Sequence, residues 1–461
     1  MHLIELGAGS GRFAFLFLTA LEAMEQRAGV TRLPVRYVMT DATDANIRFW
    51  ERHEALAPFV RSGRLDFARF DAETGRTFRL RHARTTLSPG NPVTRLVVIA
   101  NYVLDGLRHD AFALRRGRMH EYLAAATLPA HGPAAGVSLA WRVGRRVTAP
   151  YPEEEFNAIL RGYEGMAATG RLVFPLSALR CLDRLAALAR EDMLVLAADR
   201  GTADAADAIT RPVNLDLARH GSVSLPVNFH ALRTWVADRG GHAFHPEKTH
   251  RHLHVTALVL GAHRGDWPQT RAAYAQSLGH GEPDELYDLR HALTDTADRL
   301  GAADLLSMIR LCGHDARVMA ECIRPLWRHL AEADPQRRLE VRDAALAAWT
   351  HYFHLGEAYD LAFNLGLLLY ETQAYVDAHA LFSESLRLYG ENGATRWNLG
   401  LCEVALGKPD EAMASFRRAR TLAPDLYPAG LALVKTPRRS RPSSAARDSA
   451  GRRRRRPESR R

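Results

Sequence analysis

The chain opens MHLIELGAGSG, where Gly7, Gly9 and Gly11 alternate between a short apolar run and the helical pattern RFAFLFL. A glycine turn between strand and helix lets the backbone approach a ligand and aims the helix's free N–H groups at it. Two kinds of cofactor use such a turn. The dinucleotide fingerprint spaces its glycines GxGxxG so that a pyrophosphate rests on the helix N-terminus. Here the spacing is GxGxG, and Glu5 stands two positions ahead of it. A carboxylate there repels a pyrophosphate and suits a cationic ligand.

Further polar residues follow apolar runs at intervals. VRYVMTD ends at Asp41, RLDFARFDAE carries Phe70 and Asp71, and LVVIANYVLDGL carries Asn101, Tyr102 and Asp105. In a doubly wound sheet, ligands sit at the carboxyl ends of the strands around the switch point between the first and fourth. Asp41 at the tip of strand two can accept both ribose hydroxyls of a nucleotide. Each residue also has a plainer reading: Asp41 and Asp44 as caps of a following helix, Asp71 as a turn residue, Asp105 as a loop cap. Their order on successive strand ends favours a cofactor site.

The elements that must position these residues follow from the wider pattern. At 461 residues, 47% hydrophobic and 25% charged, the chain is long enough for two or three domains. To about residue 262, near-continuous apolar runs (HLIEL, VRYVMT, RLDFARF, RLVVIA, MLVLAA) alternate with helix patterns such as ATDANIRFWERHEALAPFV and PLSALRCLDRLAALARE. Such runs are buried on both faces, so residues 1–262 are expected to form an α/β doubly wound, Rossmann-like sheet closed by a terminal strand near HLHVTALVLGAH. Residues 263–434 are expected to be all-α. Within them, two segments superimpose at a period of 34: Asn364, Leu365, Gly366, Ala378 and Phe382 fall on Asn398, Leu399, Gly400, Ala412 and Phe416, with Ala344 as a trace of a third copy.

Charge and cysteines bound the partners. The formal net charge is +10, and residues 435–461 hold twelve Lys and Arg against two acidic residues, so the excess lies in the tail. That tail, rich in Arg, Ser and Pro, is expected to be disordered, and no specific nucleic-acid partner is expected. Cys181, Cys312, Cys322 and Cys402 form no CxxC and read as buried thiols of a reducing compartment. No run of about 18 apolar residues supports a membrane span, so a cytoplasmic location is expected.

LIELGAGSG resembles motif I of class I S-adenosylmethionine-dependent methyltransferases. The resemblance implies that Gly7, Ala8, Gly9 and Gly11 pass under the methionine part of S-adenosyl-L-methionine, with Glu5 near its amino group. It implies Asp41 at the ribose, Asp71 at the adenine amino group and Phe70 on the ring. Asn101, Tyr102 and Asp105 then face the transferable methyl, with Asn101 also at the cofactor and Asn101 and Asp105 as candidate catalytic residues. IANYVLDGLRHDAFAL, FPLSALRCLDRLAALAREDMLVLAADRG and HGSVSLPVNFHALRTWVADRGG resemble, over about residues 1–260, segments of MidA-like methyltransferases, a family with a member that methylates an arginine of a partner protein in mitochondrial complex I assembly. Two positions depart from that family: Tyr102 stands where it has Glu, and Arg200 stands where it has Tyr. A guanidinium acceptor needs a carboxylate, and Asp105 is the nearest one left. Family members also carry a helical segment ahead of motif I, so the expectation is a truncated copy or a misassigned start. The 34-residue repeat resembles the tetratricopeptide repeat (TPR) and implies a protein partner or substrate.

Three other readings compete. His250, His252 and His254 alternate near His242, His245 and Glu247, and read as a polar strand face rather than a metal site. A decayed enzyme acting as a cofactor-binding TPR scaffold would also show the changes at Tyr102 and Arg200. An NAD-dependent oxidoreductase is disfavoured by the GxGxG spacing and by Glu5.

Overall fold

The computed structural model describes residues 1–127, 138–210, 216–217, 223–246, 253–261, 267–278 and 283–424. Glu247, His250, His252 and the Arg-rich tail lie outside them. The chain divides into two compact units, Met1–Leu286 and Tyr287–Arg461.

The first unit is built on a seven-stranded sheet. Its strands are β1 (His2–Leu6), β2 (Arg36–Asp41), β3 (Leu65–Arg69), β4 (Val93–Asn101), β9 (Ala189–Asp199), β10 (His242–Phe244) and β11 (His254–Gly261). The order across the sheet is β3-β2-β1-β4-β9-β11-β10. The first five strands are parallel; β11 runs antiparallel to β9 and to β10. Sequence order reverses at β1, between β2 and β4, which is where an open α/β sheet leaves a crevice at its carboxyl edge.

Period-two alternation explains how the sheet is covered. Ile4, Leu6 and Val38 join the main core with Leu179 and Leu182 of helix α3 (Leu176–Ala186) and Trp235 of α4 (Phe229–Asp238). The intervening residues face the other side, where Phe17 of α1 (Arg12–Ala28) meets Tyr37 at 5.4 Å between ring centroids.

A second sheet of four antiparallel strands, which the sequence reading did not anticipate, is inserted after β4. It is formed by β5 (Asp110–Arg115), β6 (Arg118–Thr127), β7 (Ser138–Arg146) and β8 (Thr169–Phe174) in the order β8-β5-β6-β7. The two-residue turn Arg116-Gly117 joins β5 to β6 with φ of 52° and 70°, the left-handed geometry that matches hairpin twist. Phe112, Leu114, Leu172 and Phe174 on one face enter the main core.

Helix α5 (Pro268–Leu278), assigned by sequence to the helical region, attaches to the first unit. The Tyr274 hydroxyl donates to Val255 O at 2.7 Å, and its ring lies 6.1 Å from Phe244.

Among the described residues the second unit is helical throughout. It includes α6 (Ala302–Leu311), α7 (Ala316–Leu330), α8 (Pro335–Thr350), α9 (Leu361–Glu371), α10 (Tyr375–Tyr389), α11 (Gly393–Ala405) and α12 (Pro409–Leu422). The 34-residue period is structural. A Cβ on Gly366 of α9 would lie 2.7 Å from Phe382 Cε1 of α10, and one on Gly400 of α11 would lie 2.7 Å from Phe416 Cε1 of α12. Ala344, Ala378 and Ala412, also 34 apart, are buried on α8, α10 and α12.

Candidate functional site

Parallel pairing brings the glycine turn and the strand-end residues to one edge. Leu6 lies opposite Ala100, so Gly7 leaves β1 beside Asn101 at the end of β4. Glu5 lies opposite Met39, which sets Gly7 level with Asp41, and Asp41 lies opposite Arg69, which puts Phe70 and Asp71 just beyond. Asn101 in turn pairs with Ala198 of β9, next to Asp199 and Arg200.

The turn is held from below. Ala8 N–H donates to Thr40 O at 2.9 Å and Gly11 N–H to Ala8 O at 2.9 Å. Trp50, buried on helix α2 (Asp44–Arg52), donates its indole N–H to Gly9 O at 2.9 Å. A Cβ on Gly11, where φ is 81°, would lie 2.7 Å from Met39 Cε and 3.3 Å from Trp50 Cδ1. Above Gly9 the space is open: a Cβ there meets nothing nearer than Gly7 O at 3.9 Å. Helix α1 is N-capped by Gly11, which offers no side chain to cap it, and Arg12 N–H donates to Ser10 Oγ at 3.4 Å; the positive end of the helix faces the turn.

Glu5 is 3% exposed and accepts one hydrogen bond from the Tyr37 hydroxyl at 2.9 Å. Burial pushes its carboxyl up to about 8, with the Tyr37 bond acting against that. A cationic group brought near this carboxyl would favour its ionised form.

Asp41 holds the start of α2. One oxygen accepts from Thr43 N and Thr43 Oγ1, both at 2.8 Å, and the other from Asn46 Nδ2 at 2.7 Å. Asp71 closes an exposed turn, accepting from Glu73 N and Thr74 Oγ1 at 2.8 Å each, bonds that hold its carboxyl below the usual range. Both keep lone pairs for a ligand, since a carboxylate offers about four. Phe70 is placed otherwise than the resemblance implies. It is 5% exposed and stacked on Phe78 at 4.1 Å, so its ring belongs to the core.

Asn101 is partly exposed, and its side-chain amide has no hydrogen-bond partner among the described residues. Tyr102 is 57% exposed at φ 53°, a backbone region that non-glycine residues rarely occupy. Asp105 is 9% exposed and paired with the Arg200 guanidinium at 3.3 Å; Arg200 also donates to Ser224 Oγ. Fully buried Asp199 accepts from Leu104 N at 2.9 Å and Asp105 N at 3.1 Å, fixing the loop after Tyr102. Burial, and then the nearby Asp105 charge, raise the Asp199 carboxyl well above its ordinary range.

Sequence reasoning missed Trp50, Tyr37 and Asp199 as members of this site. Trp50 and Tyr37 carry no motif, and only Asp199, one residue before the departure at Arg200, had a local signal. Elsewhere, His254 packs on Phe229 at 4.6 Å and His245 Nδ1 bonds Pro246 O at 2.9 Å. Compared with known proteins, the chain matches no protein-family model and no curated protein sequence.

Proposed function

We propose that the first unit is a class I, MidA-like S-adenosylmethionine-dependent methyltransferase domain acting on a protein acceptor, and that the second unit is a TPR-type region that binds the partner. The observation that carries this reading is the glycine turn at the switch point of the sheet with buried Glu5 two residues ahead of it. Open space above Gly9 and a carboxyl with one donor fit a ligand bearing an ammonium and a carboxylate better than a pyrophosphate. The antiparallel β11 inserted beside β9 likewise departs from the six parallel strands of the dinucleotide fold.

In this reading Gly7 to Gly11 and the start of α1 hold the amino-acid part of the cofactor, with Asp41 and Asp71 toward its nucleoside. When bound, the cofactor supplies a sulfonium methyl already activated for transfer. The chain's part is to align the acceptor and exclude water; the Asn101 amide, without a hydrogen-bond partner among the described residues, is the candidate to orient the acceptor atom. Asp105 is engaged by Arg200, so a substrate guanidinium would have to displace that side chain. The same pair favours the second reading, a cofactor-binding scaffold without turnover. Four free thiols suit a reducing, cytoplasmic setting, and no helix of the described residues is long and apolar enough to cross a membrane.

Isothermal titration of the full chain with S-adenosylmethionine, beside NADH, tests cofactor class. Transfer of a labelled methyl to lysate proteins then separates enzyme from scaffold. Heat with NADH alone would overturn both readings.

A further inference from the structure

The second unit contains a cluster that the helical repeat does not require. His379 lies on α10, Glu403 on α11, and Glu411 in the first turn of α12. One ligand atom from each lies within 4.8 Å of the others, the one such group among the described residues. The Glu403 side chain is 6% exposed, and its Oε2 is buried without a hydrogen-bond partner. Its Oε1 lies 3.5 Å from His379 Nε2, too long for a good hydrogen bond. The Arg396 guanidinium acts on this carboxylate electrostatically but spends its hydrogen bonds on Glu391, so Oε2 stays buried with no donor, which is costly unless a ligand completes it.

We propose that His379, Glu403 and Glu411 bind one divalent cation of the Zn2+ class, joining the second helix of one repeat to both helices of the next. Ligand atoms on one such ion, each at ~2.0–2.2 Å from the metal, lie ~3–4 Å apart, so small rotations of the three side chains close the site. One imidazole and two carboxylates select a borderline ion over Mg2+ or Ca2+, which prefer all-oxygen shells. Water fills the remaining positions. Glu411 is free to turn inward because its pair with Lys408, at 3.1 Å, is half exposed on both sides and contributes little. A bound ion stabilises the folded repeats by an amount that grows with the logarithm of free ion over its dissociation constant, independently of the methyltransferase reading.

The test uses the full chain, stripped with chelator and dialysed against Zn2+. The wild type is compared with Glu403→Gln, His379→Gln and Glu411→Gln by bound metal per chain and by thermal midpoint. Other histidines contribute a background common to all four proteins. The expected result is one equivalent fewer in each variant, or at least ~10-fold weaker binding at that equivalent. The variants should also lose the Zn2+-dependent rise in midpoint, with no rise from Mg2+ in any protein. Equal stoichiometry and equal midpoint shifts across wild type and variants would overturn the proposal. Should Glu403→Gln fold poorly, the exposed Glu411→Gln carries the same comparison.

Discussion

Arg200 reaches from the end of β9 to Asp105 in the loop after β4, guanidinium to carboxylate at 3.3 Å, above the fully buried Asp199. The guanidinium pairs with Asp105, while Asp199 holds the backbone of the same loop through the Leu104 and Asp105 N–H groups, so the two together fix the loop that follows Asn101 and Tyr102. Removing the cation in Arg200→Ala leaves the largely buried Asp105 carboxylate without its partner. Because Arg200 is 37% exposed, the loss should be about 1–2 kcal/mol, below that of a fully buried pair. Urea unfolding should show a lower midpoint with an unchanged slope, and Asp105→Asn in the same chain should restore part of it.

Glu5 gives a pH signature. Its folded carboxyl holds a proton up to about 8, whereas the unfolded chain loses it near ~4.3. Between these values the folded state binds more protons, so this contribution to apo stability is complete below the unfolded value and is lost as pH rises to about 8. Glu5→Gln should remove that slope. If an ammonium binds against Glu5, binding below pH 8 releases up to about one proton, and affinity for S-adenosylmethionine rises with pH by up to about tenfold per unit. Titrations in buffers of different ionisation enthalpy measure the released proton.

The glycines of the turn separate fold from ligand. Gly9→Ala has room for its methyl, so it should cost only about 1 kcal/mol for the left-handed backbone; under the proposed cofactor reading, that methyl should also obstruct binding. Gly11→Ala pushes a Cβ into Met39 and Trp50 and should cost about 2–4 kcal/mol. Thermal unfolding and titration together should find Gly9→Ala folded but weak in binding, and Gly11→Ala destabilised before any ligand is added. A Gly9→Ala protein that binds as wild type would move the ligand away from the turn.

Sequence legibility followed the range of the forces involved. The parallel strands were readable because burial on both faces leaves continuous apolar runs, and the turn because left-handed φ at Gly7, Gly9 and Gly11 restricts the residue type. The Trp50 bond to Gly9 O spans 41 positions and leaves no local trace. Asp41 reads alike as ribose acceptor or helix anchor, since either role needs an acidic residue after a strand. Phe70 was misplaced because the sequence cannot show Phe78 returning to stack on it. The β5–β8 sheet was missed because its strands alternate weakly and its turn, Arg116-Gly117, carries one glycine where Asn-Gly would have announced a hairpin. Helix α5 was assigned across the boundary because composition does not reveal that Tyr274 bonds the sheet.

The repeats offer a matched pair of substitutions. Replacing a helical glycine by alanine ordinarily stabilises by about 1 kcal/mol, but at Gly366 the added carbon would lie 2.7 Å from the fully buried Phe382 ring. Overpacking should prevail, giving a net loss of about 1–2 kcal/mol. The same geometry at Gly400 and Phe416 predicts the same sign. Phe382→Leu added to Gly366→Ala should recover stability relative to Phe382→Leu alone, as denaturant melts of the second unit would show.

Tyr102 poses the reverse case. Its φ of 53° strains the backbone, yet at 57% exposure the side chain returns little burial to offset it. Tyr102→Gly should therefore stabilise the protein by about 0.5–1 kcal/mol, since glycine adopts this conformation without steric conflict, less the entropy it adds to the unfolded chain. Strain kept at the end of β4, beside the Asn101 amide, is the pattern of a residue retained for contact with a ligand or acceptor. Under the proposed methyltransferase reading, the same variant should lose methyl transfer or acceptor binding while its thermal midpoint rises. A variant that gains stability and keeps full transfer would reduce Tyr102 to a loop residue and leave Asn101 to orient the acceptor alone.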